Sequence, residues 1–200
     1  MPTSMIVLAH PRQGSFSHAL AEIARDALRD SGHQVTWHDL HGEEFDPVQV
    51  PDGLDTTRPE GRSAFTSGAD ALTTQHRREL AAAHTLVVVH PNWWGKPPAI
   101  MAGWMDRVLV PGVVYSLDDA AGEPTPLLPL RRLVVLNTGD TEPMREAEVF
   151  GDPLDAIWRR CVGGYLHEAE IQRLLAGPLS SSTPQQRRAW LDDAYRLAAE

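Results

Sequence analysis

The sequence predicts an α/β fold built on an open, doubly wound parallel sheet. Three observations carry this. Short apolar runs recur without the alternation of a half-solvated strand, as strands buried on both faces require. Stretches with helical spacing separate those runs. The 200 residues hold five such strand–helix units, too few for an eight-unit barrel.

Ser4 to His10 is the first strand, stopped by Pro11. Leu20, Ile23, Ala24, Ala27 and Leu28 then recur at helical spacing, with Ser15 or Ser17 as the cap and Gly32 just past the end. Gln34 to Leu40 is the second strand. The stretch 43–68 carries Pro47, Pro51, Pro59, Gly53, Gly61 and Gly68. It reads as a long irregular insertion, either a lid or a surface decoration. A weaker helix follows around Ala69 to Ala83. Thr85 to His90 is the strongest strand in the chain. The helix after Pro97 and Pro98 carries Ile100, Met101, Trp104, Met105 and Val108 on one side, proline being tolerated in a first turn. Ser116 to Leu130 is a loop, and Leu133 to Asn137 is the fourth strand. Phe150, Leu154, Ile157, Trp158 and Cys161 space out another helix. A fifth strand lies within Tyr165 to Leu175. Thr183-Pro184-Gln185-Gln186 opens the last helix with a capping-box pattern, burying Trp190, Leu191, Ala194, Tyr195 and Ala198. All 200 residues are expected to form one domain, with 43–68 as its insertion.

Composition removes several function classes. At 42% hydrophobic and 22% charged residues the chain folds rather than staying disordered. Lys+Arg is 18 and Asp+Glu is 27, a net charge of −9 with no basic block, which disfavours nucleic acid and anionic membranes as partners. A single cysteine, Cys161, excludes an internal disulfide and a cysteine zinc site. Its place on an apolar helix face predicts a buried core residue. The start has no basic, apolar leader pattern, and Lys96, Asp106, Arg107 and prolines interrupt the most apolar zone. No integral membrane segment and a cytoplasmic location are expected.

In open α/β sheets ligands sit beyond the carboxyl ends of the strands. After the first strand comes His10-Pro11-Arg12-Gln13-Gly14-Ser15-Phe16-Ser17, a polar loop running into a helix N-terminus, which suits a phosphate. After the third comes Pro91-Asn92-Trp93-Trp94-Gly95-Lys96, where two tryptophans offer flat apolar surface. After the fourth comes Asn137-Thr138-Gly139-Asp140-Thr141, a polar turn. Together they point to a phosphorylated planar heterocycle such as a flavin. No G-x-G-x-x-G, Walker A, H-E-x-x-H or G-x-S-x-G occurs. Among nine histidines the pair in His38-Asp39-Leu40-His41 has strand-then-loop spacing and no fourth ligand, so no metal is expected.

The run from His90 to Val108, with Trp93-Trp94, Pro98-Ala99 and Gly103-Trp104-Met105-Asp106-Arg107-Val108, resembles the "P-x-W-W-x-x-P-A-x-x-K-G-W-x-D-R-V" signature of the flavodoxin-like NAD(P)H:quinone oxidoreductases. Gly112 to Tyr115 is similar to the "G-x-x-Y" that follows it. His10-Pro11 with Ser15-Phe16-Ser17 is similar to the family's first loop, and Val149 to Leu154 resembles a later stretch of its short bacterial members. Asn92 and Ala102 depart from the pattern, where an apolar residue and a lysine are usual.

This resemblance implies a flavodoxin-like three-layer sandwich with a five-stranded parallel sheet in the order 2-1-3-4-5. It implies bound FMN, with FAD as the alternative, the short chain favouring FMN. NAD(P)H would reduce the flavin and a quinone-like acceptor would reoxidise it, by two-electron hydride transfer in a ping-pong cycle. His10, Ser15, Phe16 and Ser17 would hold the phosphate and ribityl chain. Pro91, Asn92, Trp93, Trp94 and Gly95 would line the isoalloxazine, and Thr138, Gly139 and Asp140 would bind its polar edge. Trp104 and Tyr115 would line the substrate pocket, the tyrosine across a homodimer boundary. No match for the family's Tyr/His pair follows Gly139, so no general acid is named. The alternatives are a regulatory flavoprotein subunit of a transporter and a non-enzymatic electron carrier.

Overall fold

The apolar runs become the strands of one parallel sheet. The computed structural model describes residues 1–50, 64–116, 123–166 and 169–200. In chain order its sheet-forming and helical elements are β1 (Thr3–Leu8), α1 (Phe16–Asp30), β2 (Gln34–Asp39), α2 (Ala71–Ala82), β3 (Thr85–Pro91) and α3 (Ala99–Val108). A small antiparallel pair, β4 (Tyr115–Ser116) and β5 (Thr125–Pro126), precedes β6 (Arg132–Thr138). Then come α4 (Pro143–Phe150), α5 (Pro153–Ala156), β7 (Glu170–Ala176) and α6 (Pro184–Ala199). The large sheet has the order β2-β1-β3-β6-β7, all parallel. Counting its strands along the chain, this is the expected 2-1-3-4-5.

The unbroken apolar runs are explained by covering on both faces. Met5 and Val7 of β1, Leu86 and Val88 of β3, and Leu133 and Val135 of β6 face α2, α3 and the α5 region. Their neighbours Ile6, Leu8, Val87, Val89, Val134 and Leu136 face α1 and α6. Fully burying one such side chain is worth about 1.5–3 kcal/mol. Period-2 alternation therefore separates two cores and not a core from water. In α6 the Thr183 side chain accepts from Gln186 N–H, and the Gln186 side chain returns the bond to the cap backbone. Its inner face is narrower than expected: Ala194 and Ala198 are buried, while Trp190, Leu191 and Tyr195 are half-buried at its margin.

Three expectations need correction. Phe150 and Cys161 do not share one helix. α4 ends at Gly151, whose φ is +72°, and after α5 the chain passes into a π-helical turn, Ile157–Val162. That change of period turns Cys161 out to the surface. α4 carries no apolar stripe toward the core; Met144, Val149 and Phe150 are all exposed, so periodicity gave no sign of it. The loop 116–130 contains the β4–β5 pair; residues 117–122 lie outside the described residues. So do 51–63 of the insertion, whose two ends are tied down. Arg77, buried in α2, donates to the carbonyls of Ala64 at 3.0 Å and Ser67 at 2.8 Å. Arg107 of α3 donates to the Asp46 carbonyl and to Asp70 at 2.9 Å.

The first end of the insertion is also held by a chain of proton donors. Buried His38 reaches Glu43 through Nδ1 at 2.9 Å and Glu79 through Nε2 at 2.7 Å. His76 Nε2 faces the other Glu43 oxygen at 3.3 Å. The ligand atoms of His38, Glu43 and His76 lie within 4.8 Å of one another, a spacing that suits a cation. The three also pair among themselves, although His76 Nε2 and Glu43 Oε2 meet as an ion pair and make no hydrogen bond. The Trp104 indole donates to His76 Nδ1 at 2.9 Å, so the His76 proton sits on Nε2, toward Glu43. His41, the other half of the sequence pair, is not part of this cluster.

Burial alone would lower the His38 pKa, but the Glu43 and Glu79 carboxylates outweigh it and leave it raised. Burial would raise Glu43, but His38 and His76 hold it down at about 2. A raised histidine stabilises fully below its ordinary 6.5 and loses that contribution as pH rises through the folded value. Glu43 contributes above its ordinary 4.5 and loses the contribution as pH falls toward 2. The melting temperature is therefore expected to fall on the alkaline side of 6.5 in the unmodified chain, and His38→Gln should abolish that fall. A decline equally steep in His38→Gln, followed by thermal melts across pH, would contradict the assignment.

Candidate functional site

Parallel strands deliver their following loops to one edge of the sheet, and here the loops after β1, β3 and β6 enclose a groove of about 950 Å³. From the first loop and α1, His10, Ser15 and Phe16 line it; from β3 and its loop, Pro91, Asn92, Trp93 and Trp94; from β6 and its turn, Thr138, Gly139 and Asp140. Ten of the twelve residues expected to bind a cofactor thus converge.

The other two stand behind the wall. Ser17 is fully buried, its hydroxyl 3.2 Å from that of Thr138, so it fastens α1 to the end of β6. Gly95 completes the tryptophan turn. A Cβ there would meet Pro153 Cγ at 2.4 Å, and its φ is +71°. Trp104, expected at a substrate pocket, is fully buried between α3 and His76. Its spacing had marked it as a core residue, and packing keeps it there. Tyr115 lies outside the groove, tilted against Tyr165 with ring centroids 4.5 Å apart. It lines a separate cavity of about 350 Å³ with Met105, Leu109, Val114 and Cys161.

One end of the groove is built for an anion. Ser15 caps α1, accepting from His18 N–H, and the first turn of that helix carries no acidic residue. The unpaired N–H groups and the helix dipole there favour negative charge. Arg12 and Arg187 line the same end. Arg187 is held by the Ser182 hydroxyl at 2.8 Å and the Leu179 carbonyl at 3.1 Å, with its guanidinium 5.9 Å over the Phe16 ring. Among the described residues Asp140 is the one carboxylate in the lining, and it accepts from Ser180 N–H at 2.7 Å. In an acidic chain this is a local reversal of charge. Burial lowers the His10 pKa, and its Nδ1 accepts from Arg12 N–H at 3.1 Å, so its neutral ring presents an Nε2 proton.

Beside it the groove is aromatic, the rings of His10 and Trp93 having centroids 6.3 Å apart. Trp93 and Lys96 exchange two backbone bonds of 3.2 Å around Trp94 and Gly95, both with positive φ. That is the two-residue turn that asparagine and glycine normally fill. A tryptophan in left-handed backbone costs about 1–2 kcal/mol, and at 97% exposure its indole gains nothing from the core. Such local strain accumulates at functional sites.

Beneath the floor runs a buried polar chain. The Trp158 indole donates to His90 Nε2 at 3.1 Å, which leaves the His90 proton on Nδ1 to meet the Pro91 carbonyl at 2.9 Å. Burial, with Arg173 nearby, drives the His90 pKa down to about 4, so the ring is neutral. Asn137 donates to the His90 carbonyl at 3.2 Å and accepts from Arg173 Nε at 2.8 Å. Arg173 continues to Asp152 at 2.6 Å and Asp155 at 3.2 Å. A second arm joins Asn92 Nδ2 to buried Glu146 at 2.9 Å. These groups fix the ends of β3 and β6, and of their number only Pro91 and Asn92 line the groove.

Sequence reasoning missed Arg187, Ser180 and Leu179, which also line the groove. All three come from the approach to α6 and its first turn, far along the chain. The capping box was visible, but nothing local showed which way its helix pointed.

Residues 3–196 match a family described by its flavodoxin-like fold. The chain belongs to the flavodoxin-like family. The resemblance carried by His90 to Val108 is upheld by named relatives. NAD(P)H dehydrogenase [quinone] 1 of Rattus norvegicus is 30% identical over 168 residues, covering 78% of this chain and 60% of that protein. The chain spans between about half and two thirds of the length of the curated relatives it matches first. Among solved structures, the NAD(P)H:quinone oxidoreductase from Methanothermobacter marburgensis superposes with a TM-score of 0.80 at 21% identity, over 100% of this chain and 98% of that one. An FMN-dependent NADH-azoreductase from Bacillus anthracis, solved in complex with FMN, gives 0.76 at 14% identity, over 99% and 100%. At those identities the two structures bear on the fold alone. No helix among the described residues is long and apolar enough to cross a membrane.

Proposed function

We propose that this flavodoxin-like protein is an FMN-dependent NAD(P)H:quinone oxidoreductase working in the cytoplasm as a homodimer. The observation that carries the reading is the groove itself, cationic at a helix N-terminus and lined by two tryptophans. That donor set fits a flavin mononucleotide. Ser15, His10, Arg12 and Arg187 supply donors and positive charge suited to one phosphate, and Trp93 and Trp94 supply flat faces for a ring system.

When bound, the flavin supplies the hydride relay between NAD(P)H and the acceptor. This chain's own residues bind, orient and exclude water. Thr138, Gly139 and Asp140 offer backbone and side-chain groups to the ring's polar edge. The turn at Trp93 to Lys96 stands as a wall against solvent, and its two backbone hydrogen bonds hold it in place before any ligand arrives. His90, neutral and buried, keeps the Pro91 carbonyl fixed and takes no part in proton transfer.

A second copy would complete the substrate pocket. Tyr115 lies outside its own groove, and the cavity it lines opens among Met105, Leu109 and Val114. An apolar concavity of this kind is suited to a two-fold interface. Steady-state NAD(P)H oxidation with menadione tests the reaction, since a one-electron carrier shows none without a separate reductase. Tyr115→Ala should slow acceptor turnover more than it weakens flavin binding. A chain that stays monomeric by light scattering while reducing menadione at full rate would refute the shared pocket.

A further inference from the structure

Ser15 and His18 form a buried pair at the anion end of the groove that the flavin reading leaves unused. Ser15 Oγ stands 2.8 Å from His18 Nδ1. On the other side of the ring, His18 Nε2 faces Asp39 Oδ2 at 3.5 Å. Asp39 ends β2 and is itself oriented: Gln13 Nε2 donates to Oδ2 at 3.1 Å, and His41 N–H donates to Oδ1 at 3.2 Å. Among the described residues, the other charged or titratable groups nearby are His10, whose ring centroid is 6.3 Å away, and Arg12 and His41, which both act on His10.

The hydrogens can be counted. A serine hydroxyl owns one hydrogen, and an ionised carboxylate only accepts. His18 Nε2 makes no hydrogen bond, but the Asp39 carboxylate 3.5 Å away favours a proton on it. If His18 is neutral, Nδ1 is then a bare acceptor, and the Ser15 hydrogen turns inward to it. Ser15 is left showing lone pairs to the groove, which repels an anion. If Nδ1 also carries a proton, it donates to Ser15 Oγ, and the hydroxyl hydrogen is free to point into the groove. That state is an imidazolium between Ser15 and Asp39, and it adds a positive charge behind the helix N-terminus.

We propose that His18 is a positioning residue that couples phosphate binding at Ser15 to the uptake of one proton from solvent. The inference rests on the flavin reading for the ligand's identity, but not for the anion chemistry. No bond other than hydrogen bonds changes: the proton enters at His18 Nδ1, and the Ser15 hydrogen turns from His18 to the phosphate. Affinity must then fall as pH rises, because the tight state is the protonated one.

The test is binding, not turnover. FMN is titrated by fluorescence quenching across about pH 7–9, where a phosphomonoester with a second pKa of about 6 is already dianionic. Inorganic phosphate and riboflavin, which lacks the phosphate, are run in parallel. FMN and phosphate affinities are expected to fall by up to about tenfold per pH unit, and riboflavin affinity to stay level. His18→Gln, whose amide can donate to Ser15 at every pH, should flatten the FMN profile, while His10→Gln should keep its slope. A slope that survives in His18→Gln, or a level profile in the unmodified protein, overturns the coupling and leaves the flavin site standing. Phosphate binding with the expected slope, where neither flavin binds, keeps the coupling and removes the flavin reading. Binding of neither FMN nor phosphate overturns both.

Discussion

Ser15→Gly is expected to weaken FMN binding roughly 10- to 100-fold while leaving the protein's stability almost unchanged. The two effects separate because Ser15 has two jobs. As the cap of α1 it accepts from His18 N–H at 3.4 Å, and glycine serves at that position with a loss of only a few tenths of a kcal/mol. As a groove residue it offers a hydroxyl to a charged acceptor, and such bonds are worth about 1.5–3 kcal/mol. Ser15→Ala loses both, adding about 1 kcal/mol of helix destabilisation. Thermal melts of the two variants measure the cap, and flavin titrations measure the phosphate contact. Equal FMN affinity in Ser15→Gly and the unmodified protein would make the serine a helix cap and nothing more.

Arg173→Met should be the most destabilising conservative change beneath the site. Its side chain is 6% exposed, against 24% for Asp152 and 34% for Asp155. Truncation leaves two carboxylates without their cation and the buried Asn137 oxygen without its donor. Removing one member of a buried pair costs about 3–5 kcal/mol, and partial access of water to the two aspartates puts this case near the lower end. For a chain of this size that lowers the melting temperature by roughly 6–12 °C. Arg159 also pairs with Asp155, at 3.0 Å, but its side chain is 44% exposed. Arg159→Gln should therefore cost less than about 1 kcal/mol. Comparable losses in the two variants would show that the chain from Arg173 through Asn137 to His90 does not hold up the floor of the groove.

The parts of this molecule that were legible in the sequence share one property: their signal is local. The strands announced themselves because burial on both faces forbids polar residues, as Val87, Val88 and Val89 show. α6 announced itself through Thr183, Pro184 and Gln186. The groove was legible because parallel strands must present their following loops at one edge, so three short segments could be read together without knowing a single contact.

What failed was information carried by distant partners or by a change of period. Cys161 sits at helical spacing from Trp158, yet the π-helical turn rotates it outward. Trp104 belongs to a motif that implies a pocket, but its indole is spent on His76. Arg187 reaches the phosphate end from α6, which packs beside α1 in space but comes last in the chain, and Arg173 reaches Asn137 across paired strands. Ser17 looked like a phosphate ligand by position, and Thr138 claims its hydroxyl. The Trp94 turn was visible as an aromatic loop, but its positive φ, and hence its strain, belongs to the folded backbone alone.

The central claim is that the groove between His10, Trp94 and Asp140 holds a flavin by its phosphate and its ring. The measurement that tests it most directly is the visible absorption spectrum of the purified protein after incubation with FMN and removal of free ligand. Identification of the released cofactor by mass goes with it. The account predicts a yellow protein whose extracted cofactor is FMN, and loss of that colour when Ser15 and Trp94 are replaced together. A protein that stays colourless with both FMN and FAD would contradict it.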